Sequence, residues 1–301
     1  KYLVFRAGLL KPIQRLVTDG LKSCPLNEFS MHILFIGYGK TSQRVAKQLF
    51  EKEHQITTIS RSVKTDSYAT HLVQDIFTLD LSKIEPVDVV YILLSPNEST
   101  VEGYQQTYVD SVEPIREALK IHPVKKIIVV SSTRVYGENA GEIIDDFSEI
   151  HPNDAQGHIL LNMELLWQKY YPTQSVIVRP TGIYGTSIAR LKKMAENHQS
   201  YPNIHYSNRI HIDDLARFLA FMADYESHQA SYIVTNNQPL PLHEIIVWFQ
   251  KQLGLPELTL ESNQISGKRI YAKHLPATGF QLEHPICFND YLLCLNVHST
   301  K

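Results

Sequence analysis

The chain has 301 residues, 43% hydrophobic and 20% charged, an ordinary balance for a folded globular protein and enough length for a large core. Its 29 basic and 31 acidic residues give a formal net charge of −2 with no block of like charge, so composition offers no electrostatic case for nucleic acid or an anionic membrane. The three cysteines, Cys24, Cys287 and Cys294, are too few and too far apart for a disulfide scaffold or a thiolate zinc site. With no apolar run of spanning length, the expectation is a cytoplasmic protein without a membrane partner.

In chain order, residues 1–30 stand apart. Leu9, Leu10, Ile13, Leu16, Val17 and Leu21 follow helical spacing, with Arg6, Lys11, Arg15 and Lys22 mostly on the other side, a pattern open to reading as a basic amphipathic helix. The adopted expectation is plainer: a loosely attached or non-native extension upstream of a start at Met31. From Met31 onward, apolar runs of strand length alternate with stretches of helical period. Strands are predicted over 33–36, 55–59, 87–94, 126–130 and 175–178, and helices over 41–50, 100–120 and 157–169. Continuous apolar strands are buried on both faces, as in a parallel sheet covered by helices. The alternation predicts an α/β fold, a Rossmann-type doubly wound parallel sheet. From about residue 180 the pattern loosens into short elements, including helices over 212–223 and 242–252. This gives one domain over 31–301, with a small C-terminal substrate lobe built mainly from 180–301.

The run Ile33-Leu34-Phe35-Ile36-Gly37-Tyr38-Gly39-Lys40-Thr41-Ser42 reads as strand, tight turn and helix start. Gly37 lets the turn close. Gly39 lets backbone approach a pyrophosphate, and the free N–H groups opening the next helix meet its negative charge. Ser42 stands where the third glycine of G-x-G-x-x-G belongs and is small enough to keep helix and strand close. The context of strand and helix around it makes the loop a dinucleotide site, with Gly37, Tyr38, Gly39, Lys40, Thr41 and Ser42 as its residues. An NAD site places an acidic residue at the end of the second strand, on the ribose hydroxyls. This chain has Ser60-Arg61-Ser62, and an arginine there pairs with a 2′-phosphate, so NADP(H) is expected over NAD(H).

Several further segments, taken in order, resemble the extended short-chain dehydrogenase/reductase superfamily in its NAD-dependent epimerase/dehydratase branch. Gln74-Asp75-Ile76 is similar to the family's adenine-contacting aspartate after the third strand, and Leu94-Ser95-Pro96 falls where its fourth strand ends against the cofactor. Ser131-Ser132-Thr133-Arg134-Val135-Tyr136-Gly137 resembles its S-S-x-x-V-Y-G stretch. Arg179-Pro180-Thr181-Gly182-Ile183-Tyr184-Gly185 resembles R-P-x-x-x-Y-G, His211-Ile212-Asp213-Asp214 resembles the start of a late helix, and Gly267-Lys268-Arg269-Ile270 resembles a tail element. The resemblance implies a Rossmann core with a substrate lobe, a small-molecule substrate, and cofactor contacts from Ser60, Arg61, Asp75, Ile76, Leu94 and Ser95. The layout is also that of the atypical, YeeZ-like members. A homodimer is one assembly left open.

The departure from the family concerns chemistry. Members that oxidise or epimerise use a tyrosine with a lysine four residues later on one helix face, where the ammonium lowers the phenol pKa. Alignment on Pro152 and Glu164 puts Gln156 and Leu160 at those positions, and none of the 16 tyrosines has a lysine four residues on. The remaining candidates are Ser132, which by resemblance hydrogen-bonds the substrate oxygen, and His158, near enough to the missing tyrosine to serve as acid or base. Tyr136 and Tyr184 are candidates for lining the substrate cleft, with aromatic packing as the alternative. His211 with Asp213 and Asp214 invites a metal, but aspartates opening a helix more simply cap its N–H groups, and no metal is expected. Two functions stay open: an NAD(P)-dependent oxidoreductase or epimerase acting on a sugar nucleotide or small carbonyl or hydroxyl compound, and a catalytically silent, dinucleotide-sensing binding protein.

Overall fold

The structure is a computed structural model in which residues 30–298 are described, so the expectations for residues 1–29 fall outside it. β1 (His32–Ile36) is buried at every position. α1 (Lys40–Glu51) turns Ser42, Val45, Ala46 and Leu49 inward, the i, i+3, i+4, i+7 stripe of a helix laid on a sheet. β2 (Gln55–Ser60), β3 (Thr70–Val73) and β4 (Val89–Ile92) follow. The single helix predicted over 100–120 is instead three pieces: α2 (Val101–Tyr104), a π-helical stretch Gln105–Asp110 and α3 (Val112–Leu119). Pro114 accounts for the restart: lacking an N–H, it is tolerated in a first helical turn and not in an interior. Ser111, at the join, donates its hydroxyl to the Thr107 carbonyl at 2.6 Å.

β5 (Lys126–Val130), β6 (Ala140–Ile144), α4 (Ala155–Tyr170), β7 (Ser175–Pro180) and β8 (Gly182–Tyr184) come next. The chain then forms α5 (Ala189–Asn197), β9 (Ser200–Tyr201), β10 (Ile204–Ser207), β11 (Arg209–His211) and α6 (Ile212–Asp224). It closes with β12 (Ser231–Val234), β13 (Leu240–Pro241), α7 (Leu242–Leu253), β14 (Thr259–Leu260), β15 (Ile265–Ile270), α8 (His274–Ala277) and α9 (Cys287–His298).

The main sheet has seven strands in the order β12-β7-β5-β4-β1-β2-β3, all parallel. This is the doubly wound Rossmann arrangement expected. Its strand order reverses between β1 and β4, which places a crevice at their carboxyl ends. The late segment is divided between layers: β12 extends the main sheet beside β7, and α6 packs on α1. Ile210, Ile270, Ala272 and Leu275 also join the main core, while a second, smaller core gathers Ile188, Ala195, Ile245, Ile246, Phe249 and Leu258, with Cys287 and Tyr291 from α9. A four-stranded sheet, β13-β10-β15-β6, borders it and borrows β6 from the first half of the chain. Among the described residues, no helix is long and apolar enough to cross a membrane.

Candidate functional site

A cleft of about 880 Å³ opens at the carboxyl ends of β1, β2 and β4, within the range usual for ligand pockets. Its walls are Gly37-Tyr38-Gly39 after β1, Ser60-Arg61-Ser62 and Lys64 after β2, Gln74 to Phe77 after β3, and Leu93-Leu94-Ser95 with Asn97 and Glu98 after β4. Thr100, Glu102, Gly103, Gln106 and Thr107 close the far side. Most of the cofactor residues expected from sequence meet here; Asp75, Ile76, Leu94 and Ser95 are among them. Lys40, Thr41 and Ser42 are not in the wall but begin α1 behind it.

The two glycines of the turn serve opposite needs. Gly37 has φ +91°, and a Cβ there would stand 2.1 Å from the Leu93 carbonyl oxygen, so the fold itself demands glycine. At Gly39, beyond its immediate chain neighbours, nothing lies within 4 Å of where a Cβ would be. The space left open faces the cleft at the start of α1, whose first N–H groups receive no side-chain cap. That arrangement fits a diphosphate. Ser42 is buried and donates its hydroxyl to the Gly37 carbonyl at 3.0 Å, so the residue replacing the third glycine braces the turn. Across the cleft, Arg61 donates from Nη2 to Asn97 Oδ1 at 2.7 Å. Asp75 accepts from the Phe77 N–H at 2.9 Å. Lys64 was missed by sequence reasoning; it sits in a loop with no periodicity to mark it.

At the end of β5, Ser132 accepts from the Arg134 N–H at 3.2 Å, which leaves its own O–H to donate. Gln156, expected from sequence at the family's tyrosine position, is fixed at both ends: Oε1 accepts from Arg134 Nη2 at 2.5 Å and Nε2 donates to the Ser99 carbonyl at 2.7 Å. Arg134 also pairs with Asp154, whose carboxylate caps α4 on the Gly157 N–H. Leu160, expected from sequence at the lysine position, lies in the core at 2% exposure. His158 is exposed on α4.

Tyr136 and Tyr184 do not line the cleft. Tyr136 is fully buried, and its hydroxyl accepts from Arg179 Nη1 at 3.0 Å. Burial raises its pKa, although the guanidinium works the other way. Arg179 is itself held by Glu164 in a buried ion pair at 2.7 Å, so this tyrosine belongs to the tie between α4 and β7. Tyr184 donates to Asp290 of α9 at 2.6 Å, and burial followed by that carboxylate raises its pKa strongly. Aromatic side chains after strand ends carry no label for which way they turn, and both have turned inward. Sequence reasoning also missed the role of Lys268, whose amine donates to the Tyr136 carbonyl and whose pKa is lowered by burial.

The His211 cluster differs from expectation in its capping. His211 is the N-cap of α6, its Nδ1 accepting from the Asp213 N–H at 3.2 Å. Asp213 pairs with Arg44 of α1, and the fully buried Asp214 accepts from the N–H groups of Glu283 and His284. His211, Asp213 and His284 present ligand atoms within 4.8 Å of one another. The two imidazoles are stacked, however, with centroids 3.7 Å apart and planes 14° from parallel. A metal binds in the plane of an imidazole at about 2 Å, and near-parallel stacked rings share no such point. His284 instead pairs with Asp290 at 2.7 Å, and the cluster ties α9 to the start of α6.

Residues 37–235 match the model of the NAD dependent epimerase/dehydratase family. The chain belongs to that family. No curated protein sequence matches it. Among solved structures, it is similar to a protein from Methylobacillus flagellatus described as of the NAD-dependent epimerase/dehydratase type, with 27% identity, 89% of this chain and 99% of that one covered, and a TM-score of 0.75. It shares its fold with MoeE5 in complex with UDP-glucose and NAD, at 16% identity, coverage of 84% and 95%, and a TM-score of 0.70. The fold is also that of UDP-glucuronic acid 4-epimerase from Bacillus cereus in complex with NAD, at 20% identity, coverage of 82% and 91%, and a TM-score of 0.66.

Proposed function

We propose that this epimerase/dehydratase-family chain binds NADP(H) in the cleft and acts as an oxidoreductase on a small carbonyl or hydroxyl compound. The observation that carries the cofactor choice is the basic pair Arg61 and Lys64 beside Ser60 and Ser62 in the cleft wall, with no carboxylate in the segment 60–64. A guanidinium and an ammonium there favour a 2′-phosphate, which the acidic residue of an NAD site would repel. Gly39 would admit the diphosphate at the turn that Gly37 closes, and Ile76, Leu94 and Ser95 would flank the adenine. Sugar nucleotides are the substrate class suggested by the neighbours crystallised with UDP-sugars.

A bound nicotinamide supplies hydride exchange with a substrate carbon. Ser132 would hydrogen-bond the substrate oxygen from the end of β5. Gln156 has no titratable proton and both ends of its amide are committed, so it shapes the site without moving a proton. Proton exchange is then left to solvent.

The same glutamine favours a second reading, a dinucleotide-sensing protein without turnover. Through Gln156, α4 is tied to Ser99, adjacent to the cleft residues Glu98 and Thr100, so occupancy of the cleft can be felt along α4. The two readings part when the protein loaded with NADPH is offered aldehydes, ketones and sugar nucleotides. As an enzyme it should consume NADPH with at least one of them, and Ser132→Ala should lower kcat by about 100-fold. Tight binding with no consumption across the panel would remove the oxidoreductase reading and leave the sensing one.

A further inference from the structure

Tyr38, the middle residue of the glycine turn, is only 4% exposed. Its ring meets Phe35 edge-on and leans on His71, with centroids 6.2 Å and 5.2 Å away. Its phenol donates to Asp66 Oδ1 at 3.1 Å, and the same oxygen accepts from the Tyr68 N–H at 3.3 Å. His71 closes the group: Nδ1 bonds the Thr58 hydroxyl at 2.7 Å, and Nε2 bonds the Asp66 carbonyl at 2.9 Å. Four segments therefore converge on one cluster: the turn after β1, the middle of β2, the loop 61–69 and the start of β3. Thr58, Asp66 and His71 do not line the cleft, whereas Arg61 and Lys64 on the same loop do.

We propose that Tyr38, Asp66 and His71 form a clamp that positions the 61–69 loop and thereby sets the choice between NADP(H) and NAD(H). The inference rests on the NADP(H) reading given above. Two physical effects act together. The loop has no helix or strand of its own, so its hydrogen bonds to the rigid sheet determine where Arg61 and Lys64 stand. The clamp also turns a carboxylate, carried only two residues beyond Lys64, toward a phenol and a backbone N–H. Freed, that carboxylate would place a negative charge in the loop that has to receive a phosphate. Burial and the neighbouring Asp66 raise the Tyr38 pKa, which keeps the phenol protonated as a donor. Asp66 and His71 are thus positioning residues acting through Arg61 and Lys64.

The test is the dissociation constant of NADPH and of NADH, measured by direct titration of the full chain, for the wild type and for Asp66→Ala, Asp66→Asn and Tyr38→Phe. Asparagine keeps the accepting oxygen and removes the charge, so Asp66→Asn should hold the wild-type preference for NADPH. Asp66→Ala should weaken NADPH by about fivefold, the size of one net hydrogen bond, while NADH changes by less than about twofold. Tyr38→Phe should shift the ratio in the same direction. Equal weakening of both nucleotides by Asp66→Ala, or no change in either, with Asp66→Asn folded and binding normally, would overturn the clamp. A wild type without preference for NADPH would instead overturn the NADP(H) reading beneath it, and the clamp with it.

Discussion

Gly37 and Gly39 show what a residue's identity can and cannot disclose. Both were legible as a phosphate-type turn, but only the structure separates their reasons: Gly37 answers to the Leu93 carbonyl and a positive φ, Gly39 to space in the cleft. Gly37→Ala should cost about 2–4 kcal/mol, from the left-handed backbone and the overpacking together, read by urea denaturation. Gly39→Ala should change stability by less than about 1 kcal/mol, the scale of an altered N-cap, yet weaken dinucleotide binding. Arg61 was legible because an exception to a known position stands out. Lys64 was not, because a loop residue has no period to betray it. Tyr136 and Tyr184 were left open between lining a substrate cleft and aromatic packing; motif position gives the strand end and not the rotamer, and here Arg179 and Asp290 hold the two hydroxyls.

At the scale of elements, long segments with a clear period were predicted nearly as they stand, α1, α4, α6 and α7 among them. β12 was not anticipated, and β3 was implied only by the resemblance that puts Gln74 after a third strand, since four residues at a sheet edge draw their structure from the neighbouring strand more than from their own sequence. The segment 100–120 was read as one helix because its apolar spacing continues across a break imposed by Pro114. The tie between α4 and β7 depends on Glu164 and Arg179, whose side chains are 1% and 6% exposed. Burial disfavours the Arg179 cation, but the hydrogen bond and charge of Glu164 outweigh it and hold the guanidinium pKa raised. Removing one partner leaves a buried charge unpaired, so Glu164→Gln should destabilise by about 3–5 kcal/mol in chemical denaturation. The double variant Glu164→Leu with Arg179→Met should cost less than that single one, because no uncompensated charge remains.

For the whole molecule, the Rossmann sheet and its cleft were legible, whereas the way the C-terminal segment is fastened was not. That fastening runs through stacked His211 and His284, with Asp290, Asp213 and Asp214 around them, and so carries a pH dependence. Burial, then His284, lowers the His211 pKa from its ordinary 6.5. An unfolded chain takes up this proton as pH falls through 6.5 and the folded chain resists it, so the stability present above pH 6.5 drains away below it until His211 titrates within the fold. Denaturation at pH 7.5 and pH 5.5 should show that loss, and His211→Asn, which keeps an oxygen for the cap, should lessen it. The dinucleotide cleft holds the central claim. Its most direct measurement is the titration of the protein with NADPH and with NADH, repeated on Arg61→Asp. NADPH should bind more tightly than NADH, and Arg61→Asp should weaken NADPH by about tenfold or more while changing NADH far less, as expected for loss of a charge-assisted phosphate contact. Equal affinity for the two nucleotides, or equal weakening of both by Arg61→Asp, would contradict it.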